Sequence, residues 1–224
     1  MVIKPRFQKL ALVITGICLL QPVLGHSINY ALENAPVNEV VWFYTKLGFE
    51  HILPLGVDHI LFVVGLCLLS TNLKTMLWQA TAFTLAHSIT LGLSMKNLVA
   101  LPAGIVEPII SLSIAFVALE NIVVRKVMPA RIAVVFLFGL IHGLGFASAL
   151  NEIGLPNGKF YTALISFNAG VELGQAAVIL AMFGLLIIPF GNKSWFRNRI
   201  VLPGSTLIAL IALYWTFQRM FLEG

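Results

Sequence analysis

Six long apolar stretches, separated by short polar loops, occupy most of the 224-residue chain. Each can cross a hydrocarbon core about 30 Å thick as a helix that rises about 1.5 Å per residue. The backbone of a lipid-exposed segment must satisfy its own hydrogen bonds, and the alternating pattern of a membrane β-strand is absent from the sequence. The pattern predicts an all-α, polytopic membrane protein with about six transmembrane helices after an N-terminal signal peptide. The predicted spans are 52–69, 76–95, 102–124, 131–150, 161–190 and 200–221.

The composition excludes several classes of protein. Hydrophobic residues make up 59% of the chain and charged residues only 10%, whereas about a quarter of the residues in an ordinary globular domain are charged. A soluble protein of this composition could not cover its surface with polar groups, so a soluble enzyme, a nucleic-acid-binding protein and a disordered chain are excluded. The formal net charge of +5 is explained by Lys and Arg in the loops, and it does not call for a nucleic acid partner.

The N-terminal segment has the organisation of a secretory signal. Three basic residues precede a short apolar run over 10–20, and Val23 and Gly25 stand at the −3 and −1 positions of a possible cleavage site. This run is short for a spanning helix, so we predict a signal peptide over residues 1–25, with an uncleaved anchor as the alternative. Residues 26–50 mix polar and aromatic types and are predicted to form an extracytoplasmic segment, with its aromatic residues at the headgroup level. Residues 51–224 then form the six-helix transmembrane domain.

The distribution of basic residues predicts the orientation in the membrane. If the signal peptide places the mature N-terminus outside, the loops after spans one, three and five lie in the cytoplasm. Those loops carry more cations than the segments on the other side, which agrees with the positive-inside rule. We therefore predict a multi-pass protein of the inner (plasma) membrane with an extracytoplasmic mature N-terminus. The inner cations are Lys74, Arg125, Lys126, Arg131, Lys193, Arg197 and Arg199, and the outer ones are Lys46, Lys96, Lys159 and Arg219.

Polar and ionisable side chains gather at one depth of four predicted spans. Such residues are costly in a membrane and usually face a cavity or a partner. The helical rise places this layer about 10–16 Å below the outer end of the spans, while Glu120 and Asn121 lie near the inner end, outside it. His51 shares a helical face with Asp58, two turns away. The layer comprises Asp58 and His59 on the first span, His87 on the second, His142 on the fourth, and Asn168 and Glu172 on the fifth.

Imidazole and carboxylate groups in one layer suit a divalent transition metal such as nickel, cobalt, zinc or copper(II). Neutral imidazoles supply nitrogen ligands, and a carboxylate neutralises part of the ion's charge. The alternative interpretation is a buried hydrogen-bond network that only fixes the packing of the helices. Three histidines on three helices at one depth favour the metal site. The candidate metal residues are His51, Asp58, His59, His87, His142, Asn168 and Glu172.

Four ordered motifs in this chain resemble those of the HupE/UreJ family of membrane proteins, in the branch labelled HupE/UreJ-like. They are found over 51–62, 83–91, 138–147 and 167–175, and the resemblance covers roughly 49–180. It implies a permease that takes up nickel or cobalt. The metal-handling positions that it implies are His51, Asp58, His59, His87, His142 and Glu172.

Three functions are consistent with these residues. The first is a permease for a divalent transition metal, for which the sequence offers little polar material in the inner half of a pathway. The second is a membrane-embedded metalloenzyme of the zinc hydrolase type, with Glu172 or Asp58 as the general base. The third is an accessory membrane subunit that helps to assemble a metallocentre. We favour the transporter over the enzyme.

Overall fold

A computed structural model describes residues 32–222, so the predicted signal peptide over 1–25 lies outside the described residues. In the described part of the chain, all regular secondary structure is helical, which confirms the predicted all-α fold class. The main helices are α1 (Val37–Ile52), α2 (Val57–Leu69), α3 (Leu73–Met95), α4 (Ala103–Val123), α5 (Arg131–Ile153), α6 (Phe160–Met182) and α7 (Leu202–Phe221). A 3₁₀ turn (Asn157–Lys159) precedes α6, a π turn (Phe183–Ile187) and a short helix (Ile188–Phe190) follow it, and another π turn (Arg197–Val201) leads into α7.

Three helical segments are long and apolar enough to cross a membrane: Ala103–Val123, Asn157–Phe190 and Arg197–Phe221. A fourth is present if α1 and α2, which are bent by 69° against each other, are taken as one broken span. The sequence predicted about six. Helix α3 has 23 residues, which is about 35 Å of helix and long enough to span. Its polar side chains make it less apolar than a typical span, and the apolar part of α5 is shorter.

The predicted first span, 52–69, is not one continuous helix. Helix α1 ends at Ile52, and α2 begins at Val57. Pro54 has no N–H group and disfavours a helical conformation at the preceding residue, and Leu53 is indeed extended, with φ −123° and ψ 117°. A Cβ atom on Gly56 would collide with the carbonyl oxygen of His51, so the chain turns back closely on itself at this point. The apolar run in the sequence conceals this break.

Helix α1 packs along α6 with the two backbones in contact. A Cβ atom on Gly48 would collide with the carbonyl oxygen of Phe167, and one on Gly170 would collide with that of Thr45. Tyr44 is fully buried, and its hydroxyl donates a hydrogen bond of 2.7 Å to the carbonyl oxygen of Gly154. The second half of the predicted 26–50 segment is therefore a helix packed within the bundle, and its Tyr44 lies in the core.

Helices α3 and α5 make a second close crossing through small residues. A Cβ atom on Gly139 would collide with the carbonyl oxygen of Phe83, and one on Gly143 would collide with that of His87. Two glycines four residues apart permit this approach because they share one face of α5. The crossing brings His142, next to Gly143, beside the middle of α3.

A buried ion pair joins α4 to α5 near the C-terminal end of α4. Arg131 Nε lies 3.2 Å from Glu120 Oε2, and the two side chains are 1% and 16% exposed. Arg131 Nη2 also donates to Asn121 Oδ1 at 3.3 Å, and Asn121 Nδ2 donates to the carbonyl oxygen of Gly65 on α2 at 2.7 Å. Glu120 and Asn121 thus belong to a structural network that links three helices, apart from the histidine layer. Arg131, predicted to lie in a loop, is the first residue of α5 and is buried.

This network predicts an asymmetric response to mutation. Arg131→Met leaves the Glu120 carboxylate buried without its partner and should cost about 3 kcal/mol of unfolding free energy. The double variant Arg131→Met/Glu120→Leu should recover most of that loss, because replacing both partners by apolar groups removes the uncompensated charge. Thermal unfolding in detergent micelles measures both effects, with Arg125→Met, at an exposed position, as the control. A double variant as unstable as Arg131→Met would contradict this account.

Candidate metal centre

The break between α1 and α2 folds two histidines toward each other. His51 lies in the last turn of α1 and His59 in the first turn of α2, and their ring centres are 4.7 Å apart. Helix α3 adds His87, whose ring centre is 6.2 Å from that of His51. Helix α5 adds His142, at 5.0 Å from His59. Four imidazoles from four helices therefore form one cluster. The sequence placed His51 and His59 on one span, whereas the structure places them on separate helices.

Three of these histidines are close enough to share one ion. One ring nitrogen each from His51, His59 and His87 lies within 4.8 Å of the other two. Metal–nitrogen bonds of about 2.0–2.1 Å in a tetrahedral site place the nitrogens about 3.3 Å apart, so small side-chain rotations bring the three rings into bonding position. The Nε2 atoms of all three are buried and make no hydrogen bond. Buried polar atoms are rarely left unpaired in proteins, so this donor set fits a divalent metal.

The hydrogen bonds of Asn168 fix the tautomer of His87. Asn168 Nδ2 donates to the carbonyl oxygen of Leu164 at 2.8 Å, which directs its Oδ1 atom, an acceptor only, toward His87. His87 Nδ1 is 3.3 Å from that oxygen and must therefore carry the proton. The lone pair of His87 is consequently on Nε2, the atom that faces the cluster. Asn168 orients a ligand in this arrangement, a role usual for groups that surround metal sites.

Ser113 fixes the tautomer of His142 by the same logic. The Ser113 hydroxyl donates its proton to the carbonyl oxygen of Ile110 at 2.6 Å. Its oxygen therefore accepts a hydrogen bond from His142 Nε2, which lies 2.9 Å away. The lone pair of His142 is thus on Nδ1, which is buried and unpaired. His142 lies next to the three-histidine group, 5.0 Å from His59 between ring centres, where it could supply a further nitrogen ligand.

Aromatic side chains enclose the histidine cluster. The Phe146 ring centre is 3.8 Å from that of His51, and the Phe83 ring centre is 4.9 Å from that of His142. Phe146 also stacks on Phe167 at 5.1 Å. These rings cover the cluster with apolar surface on the side of α3 and α6.

The two predicted carboxylates are engaged elsewhere. Asp58 Oδ2 accepts a hydrogen bond of 2.8 Å from Arg219 Nη2 at the end of α7. Glu172 Oε1 accepts one of 2.6 Å from the Thr81 hydroxyl on α3. Asp58 and Glu172 thus border the three-histidine group but are not members of it. Arg219, which sequence reasoning placed only among the outer cations, is a new element of the site.

A cavity of about 680 Å³ leads to the cluster. The ends of α5 and α7 and the first turns of α4 contribute to its wall, so it opens at the end of the bundle that is remote from the Glu120–Arg131 pair. Glu107 adds a second carboxylate to Asp58, while Arg219 is a cation. The lining includes His51, Asp58, His59, Glu107, His142, Phe146, Trp215 and Arg219.

Comparison with known proteins identifies the family of the chain. The family model described as HupE / UreJ protein matches residues 26–219, which include the four histidines, Asp58, Asn168, Glu172 and Arg219. No curated protein and no solved structure gives a significant match. Because the family model covers most of the sequence, the chain belongs to the HupE/UreJ family.

Proposed function

We propose that the protein is a membrane permease for a divalent transition-metal cation, with nickel and cobalt as the preferred substrates. The observation that carries this proposal is the group of His51, His59 and His87. One ring nitrogen of each lies within 4.8 Å of the others, the Nε2 atoms are buried and unpaired, and a cavity lies beside them. Family membership supports metal handling as the general role. Zinc is the third candidate, because it takes the same imidazole ligands.

The ligand chemistry favours transition metals over magnesium and calcium. Those hard ions prefer carboxylate, carbonyl and water oxygens, whereas imidazole suits nickel, cobalt and zinc. In a group of neutral imidazoles, the ion keeps its full charge, because no carboxylate belongs to the three-histidine group. A transport site requires moderate binding, because the ion must also leave. Asn168 and Ser113 orient the rings, and Phe146 and Phe83 cover them with apolar surface.

Polar pairs between α3 and α6 supply material for an inner half of the pathway. Toward the start of α3 and the end of α6, the Thr84 hydroxyl donates to Gln175 Oε1 at 3.1 Å, and the Thr81 hydroxyl donates to Glu172 Oε1 at about the same level. Glu172 is one helical turn, about 6 Å, further along α6 than Asn168. In this proposal, the ion leaves the histidines along this interface, with Glu172 as a later ligand.

The zinc hydrolase alternative requires a carboxylate next to the metal-bound water as a general base. The group whose ring nitrogens lie close enough to share one ion contains neither Asp58 nor Glu172, so this observation gives the hydrolase less support than the permease. The accessory-subunit alternative differs from the permease in the absence of transport. Cobalt uptake into proteoliposomes that contain only this protein separates the two, because an accessory subunit would bind cobalt without translocating it.

For the arrangement in the membrane, we propose six crossings: the broken pair α1–α2, then α3, α4, α5, α6 and α7. In this arrangement, the cavity opens to the extracytoplasmic side of the inner membrane. The mature chain begins after a cleaved signal peptide over 1–25. The excess of cations in the loops at the opposite end supports this orientation. The ends of α5 and α7, which line the cavity, would both face outward.

Labelling of single cysteines tests this orientation. Cysteine at Asn157 should react with a membrane-impermeant thiol reagent in intact cells, whereas cysteine at Asn192 should react only after permeabilisation. Both positions are exposed, and the native Cys67 is buried. A parent protein in which the other native cysteine, Cys18, is replaced by serine serves as the unlabelled control. Labelling at Asn192 together with protection at Asn157 would reverse the proposed orientation.

Mutation of the cluster tests the metal site itself. His87→Leu removes one of three ligands and should reduce cobalt affinity by more than 100-fold, beyond the roughly 10–100-fold loss usual for an orienting residue. Asn168→Ala should fall within that smaller range, because it only releases the His87 Nδ1 proton from its acceptor. Equilibrium binding of cobalt to the detergent-solubilised protein measures both, with Thr206→Val on the exposed face of α7 as the control. Unchanged binding by His87→Leu would refute the site.

A further inference from the structure

The cavity that leads to the proposed metal site is lined by a positively charged residue, Arg219. Arg219 and Asp58 form an ion pair of 2.8 Å, and their side chains are only 19% and 24% exposed. Both line the cavity that leads to the histidines. If the imidazoles are neutral, the charged groups of the lining are the carboxylates of Asp58 and Glu107 and the guanidinium of Arg219. The guanidinium pairs with Asp58, the carboxylate next to His59 in the sequence. A divalent cation that approaches His59 therefore meets Arg219 first.

Arg219 has contacts other than its ion pair with Asp58. Arg219 Nη1 also donates to the carbonyl oxygen of Glu107 at 3.3 Å, and its Cζ atom lies 5.6 Å from the centre of the Trp215 ring. Both side chains line the cavity, so a cation of charge +2 that enters it can compete with the guanidinium for the carboxylate. A displaced guanidinium keeps its contacts with Glu107 and Trp215, which makes the exchange reversible.

The positions of the two residues in their helices assist the exchange. Asp58 lies in the first turn of α2, where the helix dipole stabilises a negative charge, and Arg219 lies in the last turn of α7, where it stabilises a positive one. Each group is therefore stabilised by its own helix after the pair separates. The ion pair between α2 and α7 can therefore separate while each charge remains stabilised by the dipole of its own helix.

We propose that the Asp58–Arg219 pair is an entry latch for divalent cations, in which the arriving ion replaces Arg219 on the Asp58 carboxylate before it passes to His59. This inference rests on the proposed metal permease and names its entry step. Asp58 is then a transient ligand at the mouth, and Arg219 is a specificity-determining residue. Monovalent cations, which bind a single carboxylate weakly, do not displace the guanidinium and are kept out.

The rate at which cobalt reaches the histidines tests the latch. Stopped-flow mixing of cobalt(II) chloride with the detergent-solubilised full chain gives the association rate constant. R219Q should raise it about tenfold, because the competing charge is gone, and D58N should lower it about tenfold, because the guanidinium then lies uncompensated in the mouth. The double variant D58N/R219Q should fall between the two. R219K, which keeps the charge, should stay within about twofold of wild type.

Two comparisons separate a latch from a merely structural tie. High salt should restore most of the association rate of D58N, since the Debye length falls from about 10 Å at 0.1 M to about 3 Å at 1 M; a packing defect would not respond in this way. K46Q is the matched control, because Lys46 pairs with Glu50 at 3.7 Å on an exposed helix surface and does not line the cavity.

The outcomes distinguish the latch from the function on which it rests. An association rate in R219Q no higher than in K46Q, with wild-type binding intact, would overturn the latch alone. If R219Q does not fold, D58N decides: a rate that is unchanged, or a reduced rate that salt does not restore, overturns the latch as well. Absence of cobalt binding by the wild-type protein would overturn both proposals. Binding with the predicted rates but no uptake into proteoliposomes would leave the latch standing and refute the permease.

Discussion

The break between α1 and α2 is the feature on which the site depends. A continuous helix through residues 51–59 would place His51 and His59 eight residues and about 12 Å apart along one axis. The extended conformation at Leu53, which precedes Pro54, and the close approach at Gly56 instead bend the chain by 69°. The two imidazole rings therefore lie 4.7 Å apart. Broken helices recur at the ion sites of membrane transporters, because half-helix ends and side chains converge there.

The second requirement of a metal site is that the imidazole lone pairs are free to bind the ion. Asn168 and Ser113 meet it from outside the cluster, because each uses its other hydrogen bond on a backbone carbonyl of its own helix. His87 and His142 are thereby left with unpaired nitrogens that face inward. An unsatisfied buried polar group costs about 1–3 kcal/mol, so a network that served packing alone would be expected to pair these atoms. Their orientation is what the proposed metal site requires, because a metal ion accepts nitrogen lone pairs.

The sequence was informative where local pattern determines structure. Helical rise and the apolar runs were sufficient to predict the all-α fold and to bring histidines of separate spans to one depth. They could not reveal the partners of Asp58 and Glu172, because Arg219 and Thr81 are 161 and 91 residues away along the chain. The break at Pro54 was also missed, since an apolar run over 52–69 has the composition of an unbroken span. The aromatic residues of 26–50 were predicted to lie at the headgroup level because the segment mixes polar and aromatic types. In the structure, Trp42 is exposed and Tyr44 is buried, and composition alone does not distinguish the two.

X-ray absorption spectroscopy of the purified protein loaded with cobalt(II) decides whether the histidines bind the ion, because it reports the atoms bound to the metal. If they do, the spectrum should show at least three imidazole nitrogens at about 2.0–2.1 Å, together with the outer-ring scattering that identifies histidine. A first shell of oxygen atoms alone, without histidine scattering, would show that the cluster of His51, His59 and His87 does not bind the ion.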